Sequence, residues 1–345
     1  MPIWPGRCRL SSSRVTCASR WAAETSNSCP AKFSECAVHS EVRSALTRRL
    51  GDRVRFDAPI GPLTTYRVGG SASAFVTVES IDECVDVAAV CSDLDVATLV
   101  IGRGSNMLVS DEGFDGLMLQ LGDFASFVEL PHPDDSTPIV RAGAATSLPV
   151  LARRTAGAGW RGLEWAVGVP GSVGGAVRMN AGGHGSDMAA SLVDARVIDL
   201  SSGVARTWTR DELGLRFRGS DLDDCFLVTE VRLRVEKGDA AEAQRVIDDI
   251  VKWRRENQPG GQNAGSVFVN PIPGVLSAGE LIDRAGLRGF RIGTAEVSVK
   301  HANFIQADEG GRAADVVAVM RHVHERVLTE SGHDLRSEVR LVGFA

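Results

Sequence analysis

Residues 162–188, GLEWAVGVPGSVGGAVRMNAGGHGSDM, include eight glycines, and the other segments of the chain are best interpreted around them. Glycine has no Cβ and adopts positive φ readily, so such a segment lets successive backbone N–H groups turn toward an anion such as a pyrophosphate. Glycine-rich runs are also common in tight turns that only join strands. This segment alone leaves both interpretations open.

A second glycine turn, GRGSN, occupies residues 102–106. It follows a buried-strand pattern at residues 97–101 and a helix predicted over residues 80–92, with Ser80 as the N-cap. A strand predicted around residues 75–78 precedes that helix. The order is similar to a nucleotide-binding unit, but the GxGxxG fingerprint is not met, so the turn is weak support by itself.

Composition limits the classes of function. The chain has 345 residues, enough for two or three domains, with 43% hydrophobic residues, 24% charged residues and a net charge of −6. An acidic balance without clustered Lys and Arg argues against nucleic-acid binding. No apolar run approaches the roughly 20 residues of a membrane helix, so we expect a soluble protein without membrane association.

Seven cysteines are present, and four of them fall in the first 36 residues. The odd number, the absence of CxxC spacing and the lack of a secretory h-region predict reduced, buried thiols and no metal site. Residues 1–40 are rich in Arg, Ser and Cys, and the first acidic residue is Glu24. They are similar to a transit peptide, but we favour an upstream extension without a structural role and predict disorder there.

The remaining pattern predicts an α+β protein, because hairpins and single helices alternate without the regular crossovers of a doubly wound parallel sheet. The helix predicted over residues 239–257 carries Val246, Ile250 and Trp253 on one face. Other helices are predicted over residues 40–51, 148–156, 278–285 and 312–330. Strands are predicted over residues 115–121, 139–142, 192–200, 204–209, 226–235, 295–299 and 337–342.

Seven short motifs occur in one order and together resemble the UDP-N-acetylenolpyruvoylglucosamine reductase (MurB) family. Each motif is weak alone, but seven in order are specific, and they cover residues 57–344. They are TTYRVGG (64–70), GRGSNMLV (102–109), GVPGSVGGAVRMNAG (168–182), FRGS (217–220), NAGSVFVNP (263–271), SVKHANF (298–304) and SEVRLVGF (337–344).

The resemblance implies an FAD-binding domain of the vanillyl-alcohol-oxidase (PCMH) type, made of two α+β subdomains over residues 41–236. A carboxy-terminal α+β substrate-binding domain would follow over residues 237–345. The chain is short between Asn270 and Lys300, and Tyr66 is the only tyrosine. Both features are similar to the compact second type of the family, which lacks a tyrosine-bearing insertion.

The activity that the resemblance implies is NADPH-dependent reduction of UDP-N-acetylenolpyruvoylglucosamine to UDP-N-acetylmuramate, a step of peptidoglycan precursor synthesis. Hydride would pass from NADPH through FAD to the enol ether. The glycine turn at residues 102–106 holds no His or Cys for a covalent flavin link, so noncovalent FAD is expected. We expect a cytoplasmic monomer whose partner is a small nucleotide sugar, with no nucleic acid or membrane partner.

Three residues match the family's catalytic positions. Ser266 matches the proton donor, Arg218 the arginine that holds the substrate carboxylate, and Glu338 the carboxylate that assists the intermediate. Without the motifs, Ser266 is better explained as a turn serine that bonds its own backbone. An ordinary surface ion pair is the alternative for Arg218 and Glu338.

Binding residues are carried over from the same motifs. Arg254, Asn270, Lys300 and Arg340 are candidates for the nucleotide sugar or NADPH, although Lys300 is equally compatible with a solvated side chain. His184 and His301 are not expected to act as bases. FAD is expected against two glycine turns with Arg178 nearby, at Gly102, Gly104, Ser105, Asn106, Met107, Pro170, Gly171, Ser172, Gly174, Gly175 and Asn180.

Four positions depart from the family pattern: Phe217, Gly219 and Val269, where tyrosine, an acidic residue and lysine are common, and His184, where tyrosine is common. They place substrate affinity and the flavin pocket in question without removing a catalytic group. Two alternatives remain at this stage: a flavin oxidase on the same fold, and a flavin-binding paralogue without activity. The set of Ser266, Arg218 and Glu338 argues against both.

Overall fold

The computed structural model describes residues 40–344, so the predicted disorder of the amino-terminal extension falls outside the described residues apart from Ser40, which begins a helix. Local periodicity and capping predicted most helices to within two residues. Ser80 accepts a hydrogen bond from the Glu83 amide at 3.1 Å, as an N-cap does. The α-helices are α1 (Ser40–Leu50), α2 (Ile81–Leu94), α3 (Leu148–Gly157), α4 (Val173–Met179), α5 (Met188–Ser191), α6 (Ala240–Asn257), α7 (Ala278–Arg284) and α8 (Ala313–Ser331).

The strands are mostly short, and β1, β4, β17 and helix α4 were not predicted from the sequence. In chain order they are β1 (Val54–Pro59), β2 (Ser71–Val78), β3 (Thr98–Val100), β4 (Met107–Val109), β5 (Phe114–Leu121), β6 (Val128–Glu129), β7 (Ile139–Gly143), β8 (Trp160–Arg161), β9 (Gly182–Gly183), β10 (Ser186–Asp187), β11 (Leu192–Asp199), β12 (Ala205–Thr209), β13 (Phe226–Arg234), β14 (Glu236–Lys237), β15 (Arg291–Ile292), β16 (Ala295–Val297), β17 (Ile305–Ala307) and β18 (Arg340–Val342).

The first unit is a four-stranded mixed sheet in the order β1-β2-β5-β3. β2 and β3 run parallel to β5, while β1 is antiparallel to β2. Helices α1 and α2 cover one face, where Leu46, Leu50, Cys84 and Val87 are buried. Because both sheet faces are covered, the centres of β2 and β5, residues 74–76 and 117–119, are continuously apolar and buried.

The second unit is a five-stranded antiparallel sheet in the order β12-β11-β13-β7-β6. Its core includes side chains from α3, α4 and α6. Helix α6 follows the predicted domain boundary at 236/237, yet it buries Ala243, Ile247 and Ile250 in this core. The sequence predicted Trp253 on the apolar face of α6. That prediction is wrong, because Trp253 is 46% exposed.

The third unit is the small antiparallel sheet β15-β16-β17 with helices α7 and α8. After α8, strand β18 pairs in parallel with β4. Strand β4 directly follows the glycine turn at residues 102–106. The predicted final strand, residues 337–342, is shorter than expected, because Ser337 forms only an isolated bridge with Phe268. The carboxy-terminal strand therefore pairs with a strand of the amino-terminal part of the chain.

Cys84 and Cys91 are buried, as predicted for the thiols. The prediction of burial is wrong for Cys225, which is half-buried. Within residues 40–344, no helix is long and apolar enough to cross a membrane.

Candidate active site

The two glycine turns meet and form the floor of a cleft of about 710 Å³. A Cβ at Gly102 would lie 2.3 Å from the Ser172 hydroxyl, and a Cβ at Gly174 would lie 2.9 Å from the Ala144 Cβ. Side chains at either position would collide with the facing turn, so the close approach requires glycine. Gly102, Ser172, Gly174 and Gly175 line this cleft, as predicted for cofactor contacts.

The cleft is lined by positive charge. Arg67, Arg103 and Arg178 contribute to its wall, and among the described residues no Asp or Glu does. The Thr65 hydroxyl lines it as well and is buried without a hydrogen-bond partner in the described part of the chain. A cleft with three guanidiniums and an unused hydroxyl suits an anionic ligand of dinucleotide size.

The other predicted cofactor residues support this floor mainly through the backbone. Gly104 has φ of +57°, and a Cβ there would meet the Leu63 carbonyl oxygen at 2.4 Å. A Cβ at Gly171 would lie 3.4 Å from the Ser105 hydroxyl. Pro170 is exposed before Gly171, and Met107 is buried at the start of β4.

The Asn180 side chain forms hydrogen bonds with three other residues of the protein. Its Nδ2 donates to the Asp187 carboxylate at 3.2 Å and to the Arg216 carbonyl oxygen at 3.1 Å, while its Oδ1 accepts from the Ala189 amide at 2.9 Å. Its side-chain polar atoms are thus occupied by protein. Its contribution to the cleft is to hold the turn after α4 in the left-handed conformation, with φ of 38°.

Arg218 and Glu338 come together although 120 residues separate them in the sequence. The Arg218 Nε lies 2.8 Å from Glu338 Oε1, and both side chains are at most a quarter exposed. Arg218 Nη1 also donates to the Gly182 carbonyl oxygen at 3.1 Å. Of the alternatives open from the sequence, this partial burial favours a site pair over an ordinary exposed ion pair.

The loop of Ser266 is joined to Glu338 through the backbone. The next residue, Val267, accepts a hydrogen bond from the Glu338 amide at 2.7 Å, and the Glu338 carbonyl oxygen accepts one from Asn106 Nδ2 at 2.9 Å. Backbone pairing therefore aligns the loop that carries Ser266 with residues 336–338, at the edge of the glycine turn. Within the described residues, the Ser266 hydroxyl makes no hydrogen bond, so the turn-serine interpretation has no support.

Burial shifts the proton affinity of the paired carboxyl. Desolvation raises the pKa of Glu338, although the charges of Arg218 and Arg336 oppose that rise. The carboxyl group therefore holds a proton at higher pH than an exposed glutamate would. A desolvated carboxyl with a raised pKa beside an arginine is typical of a functional site.

Family models match two parts of the chain: an FAD binding domain over residues 72–207 and the carboxy-terminal domain of UDP-N-acetylenolpyruvoylglucosamine reductase over residues 257–342. The reductase of Synechococcus is 41% identical over 84% of this chain and 94% of its own length. That of Bacillus subtilis is 36% identical over 88% and 98%. This chain belongs to the UDP-N-acetylenolpyruvoylglucosamine reductase family.

A solved structure supports the same assignment. UDP-N-acetylenolpyruvylglucosamine reductase (MurB) from Thermus caldophilus superimposes with a TM-score of 0.72 at 34% identity, over 84% of this chain and 99% of that one. The chain is thus an FAD-binding oxidoreductase of α+β class, as the seven motifs predicted. The charged, glycine-floored cleft fits the diphosphate of such a cofactor.

Arg254, a predicted substrate residue of this reductase family member, is half-buried on α6. Burial lowers its pKa, and its charge in turn contributes to a lowered pKa of His184, for which desolvation is the larger cause. His184 stands edge-on to Trp253 with ring centroids 5.1 Å apart. A charged guanidinium without an ion pair in the described chain, beside two aromatic rings, is suited to an anionic ligand.

Two other predicted substrate residues have protein partners. Lys300 is exposed, and its Nζ donates to the Arg255 carbonyl oxygen at 2.6 Å, at the end of α6. Asn270 is exposed, and its Oδ1 accepts from the Ala278 amide at 3.1 Å, at the start of α7. Arg340, the fourth, lies on β18 and pairs with Asp224.

Several lining residues were not identified from the sequence. Thr65 and Arg67 belong to the quoted TTYRVGG motif, which was used for the resemblance but not for contacts. Phe226 and Val228 on β13, with Ala144 and Ala145 after β7, carry no motif. Only the pairing of β7 with β13 brings them to the cleft, so no local pattern signals them.

Proposed function

We propose that this chain reduces UDP-N-acetylenolpyruvoylglucosamine to UDP-N-acetylmuramate with NADPH as the hydride source, FAD held without a covalent bond and a proton from Ser266. This is a cytoplasmic step of peptidoglycan precursor synthesis, so it serves cell wall biogenesis and, through it, cell shape and division. We further propose a monomer with the nucleotide sugar as its partner. The observation that carries the proposal is the buried Arg218–Glu338 pair aligned with Ser266 at the glycine turn.

FAD, when bound, would supply the chemistry that takes a hydride from NADPH and delivers it to the substrate carbon remote from the ether oxygen. The floor of Gly102, Ser172 and Gly174 would hold this cofactor, and Arg103 and Arg178 would supply positive charge to its site. The boundary at 236/237 between a cofactor domain and a substrate domain belongs to this proposal.

Arg218 binds and orients the substrate carboxylate. Its Nη1 donates to the Gly182 carbonyl oxygen and its Nε lies 2.8 Å from Glu338 Oε1, so one hydrogen bond and one ion pair orient the guanidinium. A planar fork held in this way offers its remaining N–H groups to two oxygens at once. Negative charge that develops into the carboxylate during the reaction meets a fixed cation in a largely buried site.

Ser266 donates its hydroxyl proton to the substrate carbon next to the carboxylate. A serine is a weak acid in water, so this step needs the field of Arg218 and a site from which water is excluded. Glu338, whose pKa burial raises, assists the charge on the intermediate. Arg254 and Arg340 contribute to binding the diphosphate and the carboxylate end.

The activity is tested by turnover and by the flavin spectrum. We expect the purified chain to be yellow and to oxidise NADPH only when the enolpyruvyl nucleotide sugar is added. Oxygen consumption with an alcohol and without NADPH would instead indicate an oxidase. A yellow protein with neither activity would indicate a paralogue without this function.

Ser266→Ala separates the two half-reactions. In stopped-flow absorbance, we expect reduction of the flavin by NADPH at nearly the wild-type rate and reoxidation by the nucleotide sugar slowed at least about a hundredfold, as the loss of a general acid predicts. Ser277→Ala is the matched control, because that hydroxyl only caps α7 through the Glu280 amide at 3.1 Å. Wild-type rates of both half-reactions in the Ser266 variant would remove the assignment of the proton donor.

A further inference from the structure

Two arginines from distant segments share one carboxylate beside the cleft. Arg178 Nη2 lies 2.8 Å from Asp224 Oδ1, and Arg340 Nη2 contacts Asp224 Oδ2. The exposed fractions of the three side chains are 18% for Arg178, 12% for Asp224 and 22% for Arg340. The cluster therefore holds two positive charges and one negative charge largely out of water.

The three residues come from elements that build the cleft. Arg178 is on α4, which begins at the glycine turn, and its guanidinium lines the cleft. Arg340 begins β18, and its amide donates to the Asn106 carbonyl oxygen at 3.0 Å. Asp224 precedes β13, whose Phe226 and Val228 line the opposite wall.

Asp224 is the counter-ion that lets the two guanidiniums stay close. Burial is the main reason that the pKa of Arg340 is lowered, and the charge of Arg178 lowers it further, while Asp224 opposes both effects. Like charges that are partly desolvated repel strongly at short range. Without a carboxylate between them, the arrangement would carry two uncompensated buried cations.

We propose that Asp224 is a positioning residue of the reaction: it holds Arg178 and Arg340 at the cleft and sets their combined charge at +1 beside the flavin. A positive charge near a flavin favours its reduced, electron-richer form and raises its reduction potential. Asp224 thereby limits how strongly the site favours reduced FAD. This inference uses the proposed function only in placing FAD in the cleft.

The test is the reduction potential of the bound flavin in the full-length holoprotein, measured by equilibration with reference dyes. Asp224→Asn keeps the shape and raises the cluster charge from +1 to +2, so the potential should become more positive. Arg178→Gln lowers the cluster charge to zero, so the potential should become more negative. Asp224→Glu restores the charge and should return the wild-type value.

Asp221→Asn is the matched control, since Asp221 lies three residues earlier and pairs at 2.5 Å with Arg216, with more than half of each side chain exposed. Opposite shifts in the Asp224→Asn and Arg178→Gln proteins, both larger than the control shift, support the proposal. Shifts of the same sign, or values equal to the control, overturn it, because a purely structural carboxylate would not change the potential with the sign of the charge.

Should Asp224→Asn not fold, the other two variants decide. A lower potential in Arg178→Gln together with a wild-type potential in Asp224→Glu supports the proposal, and a control-like potential in Arg178→Gln overturns it. The measurement needs neither NADPH nor the nucleotide sugar. Its failure therefore leaves the proposed reaction standing, and failure of the NADPH assay leaves this result intact.

Discussion

Glu338 shows how burial and charge compete at one side chain. Its pKa is raised because desolvation outweighs the attraction of Arg218 and Arg336. The folded protein therefore binds more protons at this site than the unfolded chain does, between the ordinary pKa of glutamate and the raised value. Stability from this group is fully present below the ordinary pKa and is lost as the pH rises through the raised one.

Glu338→Gln tests that sign. The glutamine does not titrate, so the free energy of unfolding of the variant minus that of the wild type should increase as the pH rises from about 4 and then level off. Urea unfolding of both proteins across the acidic to neutral range gives this difference. A constant difference across the range would show that the ion pair with Arg218 balances burial, and a decreasing one would show that the ion pair outweighs it.

The sequence predicted which residues are candidates for the site better than it predicted their contacts. Arg218, Ser266 and Glu338 were chosen because each stands in a separate motif; the structure pairs Arg218 with Glu338 and joins the loop of Ser266 to Glu338 through the backbone. Their pairing was not predictable, since the partners are far apart along the chain. Asn180 shows the opposite limit: a motif residue whose polar atoms all bond protein.

Helices illustrate which elements a sequence specifies. The N-caps Ser80 and Asp239 lie three residues before the amides that they accept, so α2 and α6 were predictable from neighbouring residues alone. The cap of α8 is different, because Asp111, in the loop after β4, accepts from the Ala313 and Ala314 amides at 2.8 and 3.0 Å. Strand β4 was missed for the same reason, since its partner β18 is remote in the sequence.

Asp111→Ala should destabilise the protein by about 1–2 kcal/mol, because both helix amides lose their acceptor. Asp239→Ala removes a comparable local cap, whose oxygen lies 2.7 Å from the Glu242 amide, and should cost about 1 kcal/mol. Only the Asp111 change should also weaken FAD binding, since that loop continues from β4. Equal FAD affinity in both variants, measured by flavin titration of the apoprotein, would show that α8 is not coupled to the cleft.

At the scale of the whole molecule, the end of the chain joins the carboxy-terminal part to the cofactor part. Glu338 pairs with Arg218 and Arg340 with Asp224, so two ion pairs of opposite polarity connect residues 338–340 to residues 218–224. Strand β18, which begins at Arg340, pairs in parallel with β4. The catalytic candidates from both parts are therefore held in register by the same short segment.

Gly343 directly follows β18. Its substitution should distinguish steric crowding from the cost of a left-handed backbone conformation. Gly343 and Gly332 share φ of +71°, but a Cβ at Gly343 would lie 1.9 Å from the Gly113 carbonyl oxygen, whereas nothing lies within 4 Å of one at Gly332. Gly332→Ala should cost about 1–2 kcal/mol for the left-handed conformation alone. Gly343→Ala bears that cost and must also move β18 away from the loop after β4. We expect it to lose about 2 kcal/mol more in urea unfolding and to bind FAD more weakly, because Arg340 and Glu338 move with the strand. Equal losses in the two variants would mean that the junction yields easily and does not fix the site.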